Sequence, residues 1–286
     1  MSKIFYRGLL TALLVSAVFT AVPASTFANH AWGNYHWART ANPFTLKLGD
    51  NVTSVWDPYL DTTSDDWSAS TVLNTTIVAG STTGRRCRAT TGRVEICNSK
   101  YGNNGWLGIA SIWISGDHIT KGTVKVNDTY HNNPPYNTAA WRNLVMCQEV
   151  GHTFGLDHQD ENQINGNLGT CMDYTSNPLG PPSNEKPDWH DYAELVTIYT
   201  HLDSTTTVGQ SVQSGPGKGK MPPAMADLEI SGRGQWGKLI HSSHGGWKET
   251  YELDFGGGHK IITHVLWATD EDDGADHDHK HDHGRR

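Results

Sequence analysis

The chain has 286 residues, a formal net charge of −8 and four cysteines. Much of the acidity sits after Thr269, in DEDDGADHDHKHDHGRR, and an acidic balance argues against nucleic acid as a partner. Gly and polar residues are abundant, Lys is sparse and Trp is frequent, which is the texture of a loop-rich exported protein with a modest core.

The segment 1–28 carries Lys3 and Arg7, an apolar stretch from Gly8 to Val22, and small residues ending at Ala24 or Ala28. A basic front, a short apolar core and a small-residue exit are expected of a signal peptide, the alternative being an uncleaved anchor. No comparable apolar run follows, so the expectation is a secreted monomer with no membrane contact after cleavage. The remaining stretch of roughly 260 residues suits one or two domains.

Short strand-like runs occur at Tyr35–Arg39 and Phe44–Leu48. DPYLDTTSDDWSAS reads as a short helix with Trp67 on its buried side, and TVLNTTIVAG as a strand rich in β-branched residues. RRCRATTGRVEICNSKYG is expected to be a hairpin tied by Cys87 and Cys97. WLGIASIWISG and HITKGTVKVNDTY alternate apolar with small or polar residues and predict neighbouring strands. A proline-free run from Thr138 to Phe154 then predicts a helix, with Asn137 or Thr138 as its N-cap. Trp141, Leu144, Val145, Gln148 and His152 share one face of it. Gly151 costs some helix propensity, and Gly155 ends the run. After a loop-like stretch, DWHDYAELVTIYTHLD places Tyr192, Leu195, Val196, Tyr199 and Leu202 at helical spacing, an amphipathic closing helix.

Composition shifts at Ser204, so 29–203 is read as the main domain and 204–224 as a linker. GKLIHSS, KETYELDF and KIITHVLWA predict a small antiparallel unit at 225–269 that leans on the main domain. The segment 270–286 is expected to be a disordered acidic, His-rich tail, with His277, His279, His281 and His283 able to hold metal loosely. An even number of cysteines in an exported chain favours disulfides. Three pairings are possible, and the two local ones, Cys87–Cys97 and Cys147–Cys171, are preferred, each stabilising by roughly 3 kcal/mol. A zinc site of all four lacks any C-x-x-C knuckle.

The chemistry concentrates in CQEVGHTFGLDHQD, Cys147 to Asp160. Gln148 and His152 leave one helical face a turn apart. Glu149 lies beside them, offset by one residue, able to reach a metal-bound water without being a ligand. Gly155 lets the backbone turn, bringing His158 back towards the first two. Three ligands on one side leave a fourth position for water, the arrangement of a catalytic zinc.

With these residues the chain resembles the metzincin clan of zinc endopeptidases, matrixin- or astacin-like, over roughly Tyr35 to Leu202. Its motif reads Q-E-x-x-H-x-x-G-x-x-H. GTCMDY supplies a Met-turn methionine, Met172, and Tyr174 matches the M-x-Y of the astacin and serralysin branches. The resemblance implies an α/β (α+β) fold: a twisted mixed sheet, an active-site helix, a Met-turn and a closing helix, here with the small C-terminal antiparallel β unit added. It implies one zinc ion, with calcium possible but not indicated, and peptide or protein substrates. It also implies that Tyr174 contacts the metal or steadies the oxyanion, and that WLGIASIWISG lines the cleft as an edge strand to which substrate adds. A core strand is the bland reading of that segment.

The departure is Gln148, which stands where the motif has histidine. Zinc is ordinarily held by His, Cys or carboxylate. The Gln amide oxygen is a weaker donor, but it is neutral and reaches about as far as an imidazole Nε2. The sequence therefore predicts a secreted zinc-dependent endopeptidase, with Gln148, His152 and His158 as metal ligands and Glu149 as general base. The second reading is a catalytically weak or inactive binding protein on the same scaffold, and a small-substrate metallohydrolase is a third. His118 and His131 are off the ligand spacing, but either could replace Gln148 in space. Asp157 and Asp160 flank His158 and could orient its ring.

Overall fold

The computed structural model describes residues 30–162, 165–209, 222–226, 228, 230–243 and 246–268. The expected signal peptide, much of the linker and the acidic tail lie outside them. The chain is a mixed α/β structure. Its elements run β1 (His36–Trp37), β2 (Phe44–Asn51), α1 (Asp57–Trp67), β3 (Leu73–Ala79), β4 (Val94–Ser99), β5 (Trp106–Ser115), β6 (His118–Asn127), α2 (Asp128–His131), α3 (Ala139–His152), α4 (Trp189–Ile198), α5 (Pro223–Ala226), β7 (Lys238–Ser242), β8 (Lys248–Asp254) and β9 (His259–Trp267).

One sheet carries all the described strands. Its order is β3-β2-β4-β6-β5-β9-β8-β7, with β1 also paired to β6. The β3–β2–β4–β6 half is parallel, and every later neighbour is antiparallel. The three C-terminal runs are strands as expected, but they extend the main sheet instead of forming a small sheet of their own. The junction is β9 against β5, from Trp106↔Trp267 to Ser115↔His259. This corrects the expectation for WLGIASIWISG. That strand is interior, flanked by β6 and β9, and offers no free edge. The Cys87 segment also differs from the expected hairpin. Only β4 is a strand there, parallel to β2 and β6, while Cys87 comes from the preceding loop.

Both faces of the sheet are covered, so its central strands β5 and β6 are buried along nearly their whole length. On one face, α1 and α3 pack with Trp37, Trp56, Trp67, Leu144 and Phe154 in the larger core. On α1 the buried residues are Leu60, Thr63, Ser64 and Trp67, a helical i, i+3, i+4, i+7 stripe. The other face carries a smaller core containing Trp113, Met225, Ile230, Trp236, Tyr251 and Val265. The segment 222–236 is pinned there by Trp113 Nε1 donating to the Met225 carbonyl and Lys125 Nζ to the Ile230 carbonyl. The described start of the expected linker also packs on the body: Thr207 N donates to Ala38 O and Gly209 N to Gly92 O.

Strand parity sets which β9 side chains reach α3. Ile262 and Leu266 belong to the α3-side core, and Ile261 and Val265 to the other. His264 shares the parity of Ile262 and Leu266, so its ring points towards α3. Lys248 is the register partner of Leu266 and shares that face.

Candidate metal centre

Helix α3 starts where the sequence predicts. The Thr138 side chain accepts from Trp141 N and caps it. Its far end carries Gln148, Glu149 and His152, all buried. Gly151 sits against the Met-turn. A Cβ there would lie 2.7 Å from Met172 Sδ and 2.7 Å from Trp67 Cζ2, so glycine permits the close approach. Gly155 has φ +98°, and a Cβ there would meet the Tyr35 carbonyl oxygen at 2.3 Å. This left-handed turn sends the chain back to His158. Both preferred disulfides are present, and Cys147–Cys171 ties α3 to the Met-turn.

His152 and His158 converge as the sequence expects. Their ring centroids are 4.5 Å apart, and His264 from β9 joins them at 4.0 Å from His152 and 4.8 Å from His158. One ring nitrogen of each of the three lies within 4.8 Å of the others. His158 Nε2 and His264 Nε2 are 2.9 Å apart. His152 Nδ1 meets the Leu156 carbonyl at 2.8 Å, which fixes its proton there, while its buried Nε2 has no hydrogen-bond partner. Burial pulls the His152 imidazole down to about 3 and holds His158 and His264 well below the ordinary value. Three buried neutral imidazoles with convergent nitrogens form a donor set that fits a zinc-type ion.

Gln148 is oriented by the Met-turn. Its Nε2 donates to Cys171 O at 2.6 Å and to Asp173 O at 3.3 Å. Its Oε1 is buried without a hydrogen-bond partner. The amide is thus held with its nitrogen on the backbone and its oxygen left as a spare donor atom. Glu149 also stands without a hydrogen-bond partner at either oxygen, and His264 Nδ1 lies 3.6 Å from its Oε2. Burial drives the Glu149 pKa well above the carboxylate range, opposed by the Lys248 charge and the nearby Ala110 backbone N–H. Tyr174 packs edge-on to His158 at 4.5 Å, and burial raises its phenol pKa. His118 and His131, the alternatives to Gln148, do not join the group. His118 bonds Asp203, and His131 meets the Tyr136 carbonyl and sits edge-on to Trp56. Asp157 accepts from the His158 backbone N–H, and Asp160 from Asn162 N.

No protein-family model matches the chain, and no curated protein matches it in sequence. Among solved structures it is similar to the structure of myroilysin, at 11% identity and a TM-score of 0.35, over 60% of this chain and 98% of that one. It is also similar to high choriolytic enzyme 1, a hatching-enzyme zinc protease from Oryzias latipes (medaka fish), at 10% identity and a TM-score of 0.33, over 58% of this chain and 94% of that one.

Three residues of the centre escaped sequence reasoning. His264 is a lone histidine in an apolar strand, and its only signal is that polar residue in KIITHVLWA. Lys248 reaches in from β8. Its buried Nζ lies 3.2 Å from His158 Nδ1 and 3.5 Å from the Tyr174 ring centroid. Trp32 stacks flat on His152 at 4.9 Å, held by its backbone N donating to Gly155 O.

Proposed function

We propose that the protein is a secreted zinc-dependent endopeptidase held closed by its own C-terminal strands. The observation that carries this reading is the buried group His152, His158 and His264, in which His152 comes from the helix that also bears Glu149, His158 from the turn after it and His264 from β9. His152, His158 and the Gln148 oxygen are the ligands offered by the α3 side, and His264 is offered by β9. A bound zinc ion would supply Lewis acidity and lower the pKa of water. Glu149 is the general base: its carboxylate takes a proton from the attacking water and delivers it to the leaving amine. Tyr174 steadies the developing oxyanion of the scissile bond by a hydrogen bond from its hydroxyl. Trp32 screens His152 from bulk water.

The closure follows from the pairing of β9. Extended peptides bind sheet edges by strand addition, and the whole length of β5 is already paired with β9 in antiparallel register. A catalytic zinc site keeps one position open, and closed sites are structural. With β9 in place, His264 would be the residue offered to that position. The second reading is a metal-holding protein of this architecture without hydrolysis, and the fully buried Glu149 favours it.

The test is zinc content together with chelator-sensitive casein hydrolysis, before and after a cut introduced between Gly209 and Pro222. The cut turns β9 pairing from an intramolecular into a bimolecular event and weakens it. Near-stoichiometric zinc, hydrolysis that rises on cutting, and its loss in Glu149→Gln are the expected results. Zinc without hydrolysis in either form selects the second reading. A folded protein with no zinc beyond what the His-rich tail takes sinks both.

A further inference from the structure

A second set of metal-type donors meets on the opposite side of the N-terminal strand, sharing no residue with the Glu149 helix. His36 lies on β1, and its register partner is His118 at the start of β6. His201 and Asp203 follow α4. Asp203 Oδ1 stands 3.0 Å from His118 Nε2, 3.5 Å from His36 Nε2 and 3.8 Å from His201 Nε2. His201 Nε2 and His36 Nε2 are 3.1 Å apart. Donors at zinc distances of about 2.0–2.2 Å in a tetrahedron stand roughly 3.3–3.6 Å from one another. The separations among His36, His201 and Asp203 bracket that spacing.

The supporting bonds orient the donors. His36 Nδ1 lies 2.7 Å from the Asn34 carbonyl, so Nδ1 carries a proton and the ring is held with Nε2 turned to Asp203 and His201. Nε2 faces Asp203 Oδ1 at 3.5 Å and His201 Nε2 at 3.1 Å. Asp203 in turn has Oδ2 engaged by Arg39 through both Nη1, at 2.9 Å, and backbone N, at 3.1 Å, leaving Oδ1 turned to the histidines. A fixed tautomer and an anchored carboxylate are the surroundings that metal ligands have. The place is open to an entering ion: the His201 side chain is 50% exposed, and His36 and His201 line a surface cleft of about 310 Å³ with Asn34 and Asp117.

We infer that His36, His201 and Asp203 bind a zinc-type divalent ion that fastens β1 to the chain leaving α4. The ion joins segments 165 residues apart, from His36 to His201. It makes no demand on the Glu149 centre, and a failure of either site is separable from a failure of the other.

The experiment measures zinc per chain in the full-length protein after loading with zinc and dialysis against metal-free buffer. Wild type, His201→Ala, Asp203→Asn and His152→Ala are compared, with circular dichroism as the fold check. The tail histidines are common to all four, so differences report the sites. The expected result is one ion fewer per chain in His201→Ala and in Asp203→Asn, and a smaller rise in Tm on zinc addition than wild type shows. Asp203→Asn also breaks the Arg39 pair, and the half-exposed His201 variant carries the decision if it unfolds. Zinc content and Tm gain in folded His201→Ala equal to wild type would overturn the inference. Loss of an ion in His152→Ala alone would assign metal to the Glu149 centre only.

Discussion

His264 Nε2 lies 2.9 Å from His158 Nε2, across 106 residues of sequence. The contact exists because β9 adds to β5 in a register that sets His264 opposite Ala110, on the face towards α3. One strand thus covers the edge of β5 and completes the histidine group. The two effects pull in opposite directions on activity.

The first prediction separates them. His264→Ala removes a donor and unblocks the position it fills. Zinc affinity should fall by about 10-fold or more, since even partners of ligands are worth 10–100-fold. Casein hydrolysis per zinc-loaded chain should rise. Competition with a chromogenic chelator gives the first quantity and the casein assay the second. Unchanged affinity would remove His264 from the ligand set.

The helix at the centre was legible in the sequence, and its partner strand was not. Thr138 as N-cap, the α3 span, the convergence of His152 and His158 and both disulfides follow from local rules of capping, periodicity and spacing. The β5 run WLGIASIWISG shows apolar residues on both faces, which encodes burial of the faces. It does not encode what pairs with the edges, because edge pairing uses the backbone that all residues share. The β5–β9 ladder, joining Trp106 to Trp267, was therefore invisible, and with it His264 and Lys248. The same limit explains the Cys87 segment: the disulfide was readable, while the parallel neighbours of β4 were not.

Gly151→Ala tests the Met-turn contact. Alanine in a helix interior ordinarily gains about 1 kcal/mol over glycine. Here its Cβ would press on Met172 Sδ and on Trp67 Cζ2, both at 2.7 Å. Methionine can yield, but the Trp67 ring is held by Nε1 donating to Cys147 O at 3.1 Å. Overpacking of this kind costs about 1–3 kcal/mol and should win. Urea unfolding should show a lower midpoint at unchanged slope, and a raised midpoint would contradict the packing.

Lys248→Met tests the buried amine. Burial lowers the Lys248 pKa well below the ordinary value, with Glu149 as the largest opposing charge. Methionine keeps much of the volume and removes the buried amine from beside His158. A buried amine without full hydrogen bonding costs free energy that an apolar side chain of similar size does not. A higher Tm and tighter zinc binding are expected together. Weaker zinc binding would instead show that the Lys248–His158 contact at 3.2 Å positions the ring.

Asp191 gives a pH dependence on the far side of the Met-turn. Burial raises its pKa from 3.8 to about 6, opposed by bonds from Thr170, the Asp188 backbone and Gln159. The folded state therefore holds this proton more tightly than the unfolded chain. Its contribution is fully present below about pH 4 and is lost as pH rises through about 6. A shift of two units corresponds to about 3 kcal/mol. Asp191→Asn cannot titrate, so the wild-type advantage over it should shrink between pH 4 and pH 6 and level off above. Thermal unfolding of both proteins across that range reads the difference directly. A gap that widens with pH would mean that the folded protein prefers the Asp191 carboxylate ionised, with the donors from Thr170 and Gln159 outweighing burial.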